Sequence, residues 1–376
     1  MKFRIEREVL ADAVAWSARS LPARPAAPVL AGLLLDVLDD QLSISGFDYE
    51  VSTQAKMDVT AGSTGRALVS GRLLADISKS LPGHPVDVGA DGSRVTISCG
   101  SARFTLPTMP DEDYPRLPDM PTTAGTVSGS VFARAVSQVA VAAGKDDTLP
   151  MLTGVRLEID GDRVTLAATD RYRLAVRELT WNPAAQGSVA QVLVPARTLS
   201  DAAKSLTGDA EMTISLSSSG VSEGIIGFSG TGRRTTTRLL DAQFPPYRTL
   251  LPSEFSATAE VSVAMLTEAV KRVALVADRG NPVRLDFADG GLTLSAGGDD
   301  EGRAEESIEV DYEGDSMTTA FNPGFLLEGL GAIDEPIARL LFTTPTKPAV
   351  IRPARPAGDS GEIDYTYLIM PVRLPD

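Results

Sequence analysis

One cysteine and one histidine are all that 376 residues contain. A lone Cys99 cannot close an intramolecular disulfide, and one thiol with one imidazole cannot assemble the usual Cys/His zinc set, so a reducing compartment is expected and no metal ligand is assigned. Long apolar runs are also missing: no stretch approaches the roughly 18 residues of a membrane-spanning helix. The opening MKFRIEREVL is charged from Lys2 onward and lacks the apolar core of an export signal. The expectation is a cytoplasmic protein with no membrane association.

Recognisable catalytic apparatus is equally scarce. The chain has no GxxxxGK[ST] loop, no GxGxxG opening a helix, no HExxH and no GxSxG. His84 stands in LPGHPVD, a turn after a helix, with no second histidine to support it as a general base. The glycine-rich GFSGTGRR (227–234) fits no phosphate-binding template and is read as a hairpin turn. With 50 acidic residues, carboxylate pairs arise by chance, and the acid-rich runs Asp299 to Glu306 and Asp111 to Asp113 are read as solvated loops. No catalytic residue is assigned, and a scaffold explains the chain better than an enzyme does.

What is present is a globular composition, 43% hydrophobic and 23% charged, over a length that suits two or three domains. The net charge of −15 opposes nucleic-acid binding unless bases are gathered on one surface. The chain also repeats itself. LVSGRLLADISKSLPG (68–83) aligns without gaps on LVPARTLSDAAKSLTG (193–208), with nine of sixteen positions identical, and Pro28, Leu30, Gly32, Leu35 and Asp48 fall on Pro150, Leu152, Gly154, Leu157 and Asp170 at a nearly equal offset. A fainter third copy places MLTEAVKRVALVA (265–277) and FNPGFLLEGL (321–330) at matching positions. Three units are expected, with boundaries at 1–122, 123–253 and 254–376.

Each unit reads as a short strand, an amphipathic helix, strands alternating about Asp-Gly or Asp-Asp turns, and a second short helix at 72–81, 197–206 or 323–332, followed by more strands. That is an α+β module with two helices against mainly antiparallel sheet.

MKFRIEREVL, ATDRYRLAV (168–176), DAQFPPYRTLLP (241–252), FNPGFLLEGL and the terminal YLIMPVRL (367–374) resemble, in this order and end to end, signature segments of the beta subunit of bacterial DNA polymerase III. The resemblance implies the DNA clamp fold: three repeated domains per chain, two helices of each on the inner face and antiparallel sheets outside, with two chains joined head to tail. It implies a processivity factor that encircles duplex DNA without regard to sequence, has no catalysis or cofactor of its own, and leaves ATP to a separate clamp loader.

The resemblance also implies sites. Arg24, Arg72, Lys79, Arg134, Arg197, Lys204, Lys271 and Arg272 would contact DNA, with Glu8, Asp12 and Glu328 weakening the positive wall. A pocket for peptides of the polymerase, the clamp loader and other clamp-binding proteins would be walled by Leu152, Thr169, Arg171, Tyr172, Arg173, Leu174, Pro245, Leu250, Asn322, Phe325, Thr346, Pro348, Leu368, Met370, Pro371 and Arg373. Arg171 and Tyr172 depart from the small residue and histidine of many relatives, and Pro375-Asp376 extends past the usual Arg-Leu ending. The homodimer interface would set Phe104 and Leu106 of one chain against Leu275 and Val276 of the other. Residues alone leave two rivals open: a repeated β-rich binding protein for carbohydrate or protein, and a metal-dependent hydrolase using the acid-rich loops.

Overall fold

A computed structural model of the chain describes residues 1–205, 210–217, 224–277, 281–288, 290–298, 302–354 and 364–374. Six α-helices occur among them: α1 (Arg7–Ser17), α2 (Gly71–Ser80), α3 (Gly129–Ala140), α4 (Ala196–Ser205), α5 (Val263–Val273) and α6 (Pro323–Gly331). The odd-numbered helices each follow a strand, Lys2–Ile5, Thr122–Ser128 or Ala257–Ser262. The even-numbered ones follow Gly65–Ser70, Val189–Pro195 and Met317–Phe321.

The repeat is carried by the buried faces of these helices. Positions i, i+3, i+4 and i+7 are buried in α1 (Leu10, Ala13, Val14, Ser17), in α3 (Phe132, Ala135, Val136, Val139) and in α5 (Leu266, Ala269, Val270, Val273). That spacing forms one stripe of a 3.6-residue helix. In the shorter helices Leu74, Leu199 and Leu326 hold equivalent buried places, followed by Ile77-Ser78, Ala202-Ala203 and Gly329-Leu330. Capping differs from copy to copy. Asn322 Oδ1 accepts hydrogen bonds from the backbone N–H groups of Gly324 (2.9 Å) and Phe325 (3.2 Å), with Pro323 as first helical residue, and Ser262 Oγ accepts from Met265 N–H.

All the paired strands are antiparallel, and they fall into two compact units. The first (Met1–Ala133, Trp181–Ser188, Thr198–Leu239) contains a sheet with fourteen described strands. Within it Arg233–Arg238 pairs with Val51–Asp58, Thr235 opposite Thr53, so strands of the second and first repeats share one ladder. Hydroxyls are satisfied at this seam: Ser52 Oγ lies 2.6 Å from Thr236 Oγ1, and Thr235 Oγ1 donates to Ser52 O. The second unit (Arg134–Thr180, Val189–Arg197, Leu240–Asp376) contains sheets with nine and four described strands. There Arg173–Thr180 pairs with Tyr365–Ile369, Leu174 opposite Leu368, which joins the second and third repeats. The compact units therefore do not coincide with the repeats, because the middle repeat hydrogen-bonds to both neighbours and contributes to each unit.

Turn chemistry follows the sequence. Asp39 and Asp40 (φ 48° and 58°) link Gly32–Leu38 to Gln41–Phe47, and Thr231-Gly232 (φ 48° and 75°) closes the hairpin between Ile225–Gly230 and Arg233–Arg238, as read for GFSGTGRR. Asp111 to Asp113 lie in a turn, and His84 is exposed in one. The loop expected over Asp299 to Glu306 is corrected: residues 299–301 lie outside the described residues, but Gly302–Glu309 is a strand paired with Gly291–Gly298. Glu305 and Glu309 are exposed and Glu306 is half-buried against Arg272 of α5, so a charged segment can still form a ladder.

Four tyrosines are buried, Tyr114, Tyr247, Tyr365 and Tyr367. Burial raises each phenol above its ordinary value near 10; Tyr367 is pushed up to about 12, opposed by the neighbouring Arg173 charge. At pH values between the unfolded and folded pKa the unfolded chain has lost a proton that the folded chain keeps. Stability is therefore complete below pH 10 and falls as pH rises toward and through 12, by about 1.4 kcal/mol per pH unit for each such tyrosine. Urea midpoints at pH 8, 10 and 11.5 should show a steep loss only over the last interval, and a midpoint unchanged at pH 11.5 would contradict it.

Candidate functional site

Strand register in the second unit produces an apolar row across one sheet face. Val176 stands opposite Ala167, and Leu174 opposite Leu368, which is opposite Val350, itself opposite Leu341. These six positions form one buried cluster with Tyr247, and Phe244, Leu251 and Phe255 pack against it. The segment DAQFPPYRTLLP thus lies over the row, anchored by Tyr247.

A polar turn borders this row between the strands Arg163–Thr169 and Arg173–Thr180. Thr169 Oγ1 donates to Arg173 O at 2.6 Å, and Asp170 Oδ1 accepts from the N–H groups of Tyr172 (3.0 Å) and Arg173 (3.1 Å). The guanidinium of Arg173 is 4% exposed; it meets Asp170 Oδ2 at 2.9 Å, hydrogen-bonds Glu328 of α6, and lies 4.3 Å above the Phe325 ring. Burial works against its charge, but the bond to Glu328 and the fields of Tyr367 and Asp170 outweigh it, and its pKa is raised. Tyr172 stacks on Phe325 with ring centroids 6.3 Å apart, and Met370 N–H donates to Tyr172 O. Tyr367 O–H donates to Phe325 O at 2.8 Å. The ring fits there because residue 329 is glycine: a Cβ on Gly329 would come within 2.5 Å of it.

The expected pocket residues divide by exposure. Leu152, Thr169, Arg173, Leu174 and Leu368 are buried; Pro245, Asn322, Phe325, Pro348 and Pro371 are half-buried; Arg171, Tyr172, Leu250, Thr346, Met370 and Arg373 are exposed. Thr169, Leu174 and Leu368 share the apolar row, while Tyr172, Arg173, Phe325 and Met370 meet at the turn. Asn322 caps α6 and so has its side chain engaged. Pro375 and Asp376 lie outside the described residues.

Sequence reasoning missed several participants: Asp170 and Glu328, which hold Arg173, Tyr247, which covers the row, and Glu158. Glu158 is 12% exposed by side chain, meets Arg248 at 2.6 Å and accepts from Tyr247 O–H at 3.2 Å. A cleft of about 230 Å³ lies there, lined by Arg156, Glu158 and residues 244–249. A second, of about 310 Å³, is lined by Arg134, Gln138, Glu328 and Asp334 among others. The quoted segments ATDRYRLAV and DAQFPPYRTLLP contain Asp170 and Tyr247, but no local pattern points to Glu158 or Glu328.

The eight bases assigned to DNA are all exposed, yet they are not equivalent. Arg72 donates to Pro22 O at 3.2 Å in the loop that also carries Arg24, and Lys79 ends α2. Arg197 and Lys204 open and close α4. Arg134 is paired with Asp334, Lys271 with Glu268, and Arg272 with Glu306, where nitrogen–oxygen distances are 2.6 and 2.9 Å. Arg7, outside this set, donates to Lys79 O and Leu81 O and so ties α1 to α2.

Of the residues assigned to the dimer interface, Leu275 is 83% exposed, and Phe104 and Val276 are half-buried. The assignment of Leu106 is corrected: it is 1% exposed in the core of the first repeat with Val95, Ile97 and Val88, because strand alternation turns it inward. Among the described residues no helix is long and apolar enough to cross a membrane, and no group of three or more His, Cys, Asp or Glu is arranged to hold a metal ion.

Three family models match the chain consecutively: the DNA polymerase III beta subunit N-terminal domain over residues 1–118, its central domain over 126–246 and its C-terminal domain over 248–373. A beta sliding clamp of Streptomyces coelicolor is 59% identical over 376 residues, all of both chains, and a beta sliding clamp homolog, GriR, of Streptomyces muensis is 45% identical over 99% of both. A solved DnaN sliding clamp of Pseudomonas aeruginosa bound to griselimycin superposes over the whole of both chains with a TM-score of 0.90 at 30% identity. Matches that run in order through all three repeats, with full-length identity of this size, place the chain in the DNA polymerase III beta subunit family with the DNA clamp fold and the function of a DNA sliding clamp in replication.

Proposed function

We propose that two copies of the chain join head to tail in a ring around duplex DNA and tether the replicative polymerase, the clamp loader and other peptide-bearing proteins, without catalysis of their own, in the cytoplasm. The observation that carries this reading is the threefold recurrence of one helix pair with the same buried positions on antiparallel sheet. The repeats are assigned as clamp domains 1–122, 123–253 and 254–376. A contact that slides must neutralise phosphates and ignore base edges, which calls for basic side chains on a plain helical surface. Arg24, Arg72, Lys79 and Arg197 suit this use; Arg134, Lys271 and Arg272 contribute less because carboxylates already hold them.

Sedimentation should give about twice the 39.6 kDa chain mass. Replacing Arg24, Arg72 and Arg197 by alanine should shorten retention on circular DNA loaded by a clamp loader with ATP. It should also reduce the slope of log affinity against log salt by roughly 2 to 3, whereas replacing Lys271 and Arg272 should change it less. A monomer at micromolar concentration, or a triple variant with unchanged retention and slope, would refute the ring or its basic wall respectively. For the docking pocket, Met370→Ala with Leu250→Ala touches exposed residues and should weaken polymerase-peptide binding while leaving the dimer intact.

A further inference from the structure

Arg171 is in an unusual position at the rim of the docking face. Its φ is +81°, in the left-handed region that favours glycine and is unfavourable for a long L side chain. The turn enforces that conformation. Thr169 Oγ1 accepts from Arg171 N–H (3.3 Å), Asp170 Oδ1 holds the next two N–H groups, and Met370 N–H holds Tyr172 O from the neighbouring segment. The side chain returns nothing to the fold. It is exposed, and among the described residues its guanidinium makes no hydrogen bond and no ion pair. The Tyr172 ring lies 6.0 Å from the guanidinium carbon, and the exposed Asp146 carboxylate is within the field of the Arg171 charge, which helps to hold that carboxyl's pKa down after the bonds from Thr148. Tyr172, 56% exposed, rests in turn on Phe325, whose ring also bears the buried Arg173. A strained backbone therefore holds up an exposed cation, without a hydrogen bond or ion pair among the described residues, on an aromatic support beside Met370 and the turn.

We propose that Arg171 is a specificity-determining residue of the docking pocket and takes the carboxylate of an aspartate or glutamate flanking the apolar anchors of the partner peptide. This rests on the pocket reading above and deepens it. Guanidinium offers only donors, in a planar fork that matches a carboxylate, and the ring beneath it limits the directions it can turn. Complementarity points the same way: on a chain of net charge −15 an acidic peptide is repelled in general, so an exposed cation whose guanidinium donors are unused, with only a solvated Asp146 in its field, marks where an acid is tolerated. Arg373, three residues beyond Met370, is likewise exposed and makes no hydrogen bond or ion pair among the described residues.

The test uses the full-length protein and fluorescein-labelled peptides with leucine and phenylalanine anchors, flanked by glutamate, glutamine or lysine. The unaltered chain should bind the glutamate peptide about three- to five-fold more tightly than the glutamine one at low salt, the difference shrinking in 0.5 M salt. In Arg171→Gly the ratio of glutamate-peptide to glutamine-peptide affinity should fall to about one while dimer mass stays the same, and the melting temperature should hold or rise because glycine relieves the strain. Arg171→Glu should favour the lysine peptide. A glutamate preference that survives in Arg171→Gly overturns the proposal. If the unaltered chain binds none of the peptides, the pocket reading fails and takes this one with it; if it binds all equally, the pocket stands and this proposal alone fails.

Discussion

Arg173→Ala is expected to destabilise the second unit by about 3 kcal/mol, the lower end of the range for removing one partner of a buried ion pair. The guanidinium is buried and faces two carboxylates, Asp170 with a side chain 15% exposed and Glu328 with one 44% exposed. Its loss leaves Asp170 with a desolvated charge, while Glu328 can turn to water, which keeps the cost from reaching the upper end. The Phe325 ring also loses its cation, and the turn carrying Arg171 and Tyr172 loses the bond that Arg173 Nε–H donates to Asp170 Oδ2. Urea denaturation measures the effect. Arg173→Met combined with Asp170→Asn and Glu328→Gln should recover most of it, since no buried charge is then unpaired. A single-variant loss under 1 kcal/mol would mean that the cluster is worth no more than a surface pair.

Leu275→Asp should dissociate the proposed dimer by at least about 100-fold, or roughly 3 kcal/mol at the scale of 1.4 kcal/mol per tenfold change. Leu275 follows α5 and is 83% exposed in the single chain, so the substitution leaves the fold of the free chain alone. At an apolar interface the same aspartate would be desolvated without a partner. Sedimentation at micromolar concentration should show the monomer, with far-ultraviolet circular dichroism and melting of the monomer unchanged. Phe104→Asp is a weaker tool, because Phe104 also packs against the core of its own repeat. If the Leu275 variant sediments as a dimer, the interface lies elsewhere.

The proposed docking face follows a similar division between interior and rim. Leu174 and Leu368 are core residues that shape its floor, and replacing them tests stability as much as recognition. Leu250, Tyr172 and Met370 are what a peptide would meet first. Exposed aromatic and apolar side chains set beside buried ones give a partner both a place to start and a surface to extend.

Much of the fold is legible in the residues themselves. The stripe Leu10, Ala13, Val14 and Ser17 recurs as Phe132, Ala135, Val136 and Val139 and as Leu266, Ala269, Val270 and Val273, and helical periodicity is a local property of a dozen residues. The Asp39-Asp40 and Thr231-Gly232 turns are local as well, as is the cap at Asn322. By itself, then, the sequence determined the modules, their number and the face that each helix buries. Tertiary structure alone decided that the middle repeat divides between two sheets, that Leu106 turns inward while Leu275 does not, that 302–309 is a strand despite its acids, and that Arg173 finds Glu328 at a separation of 155 residues. Those outcomes depend on which strand edges hydrogen-bond to which, and such pairing is chosen among segments distant in the chain, where no local pattern records it.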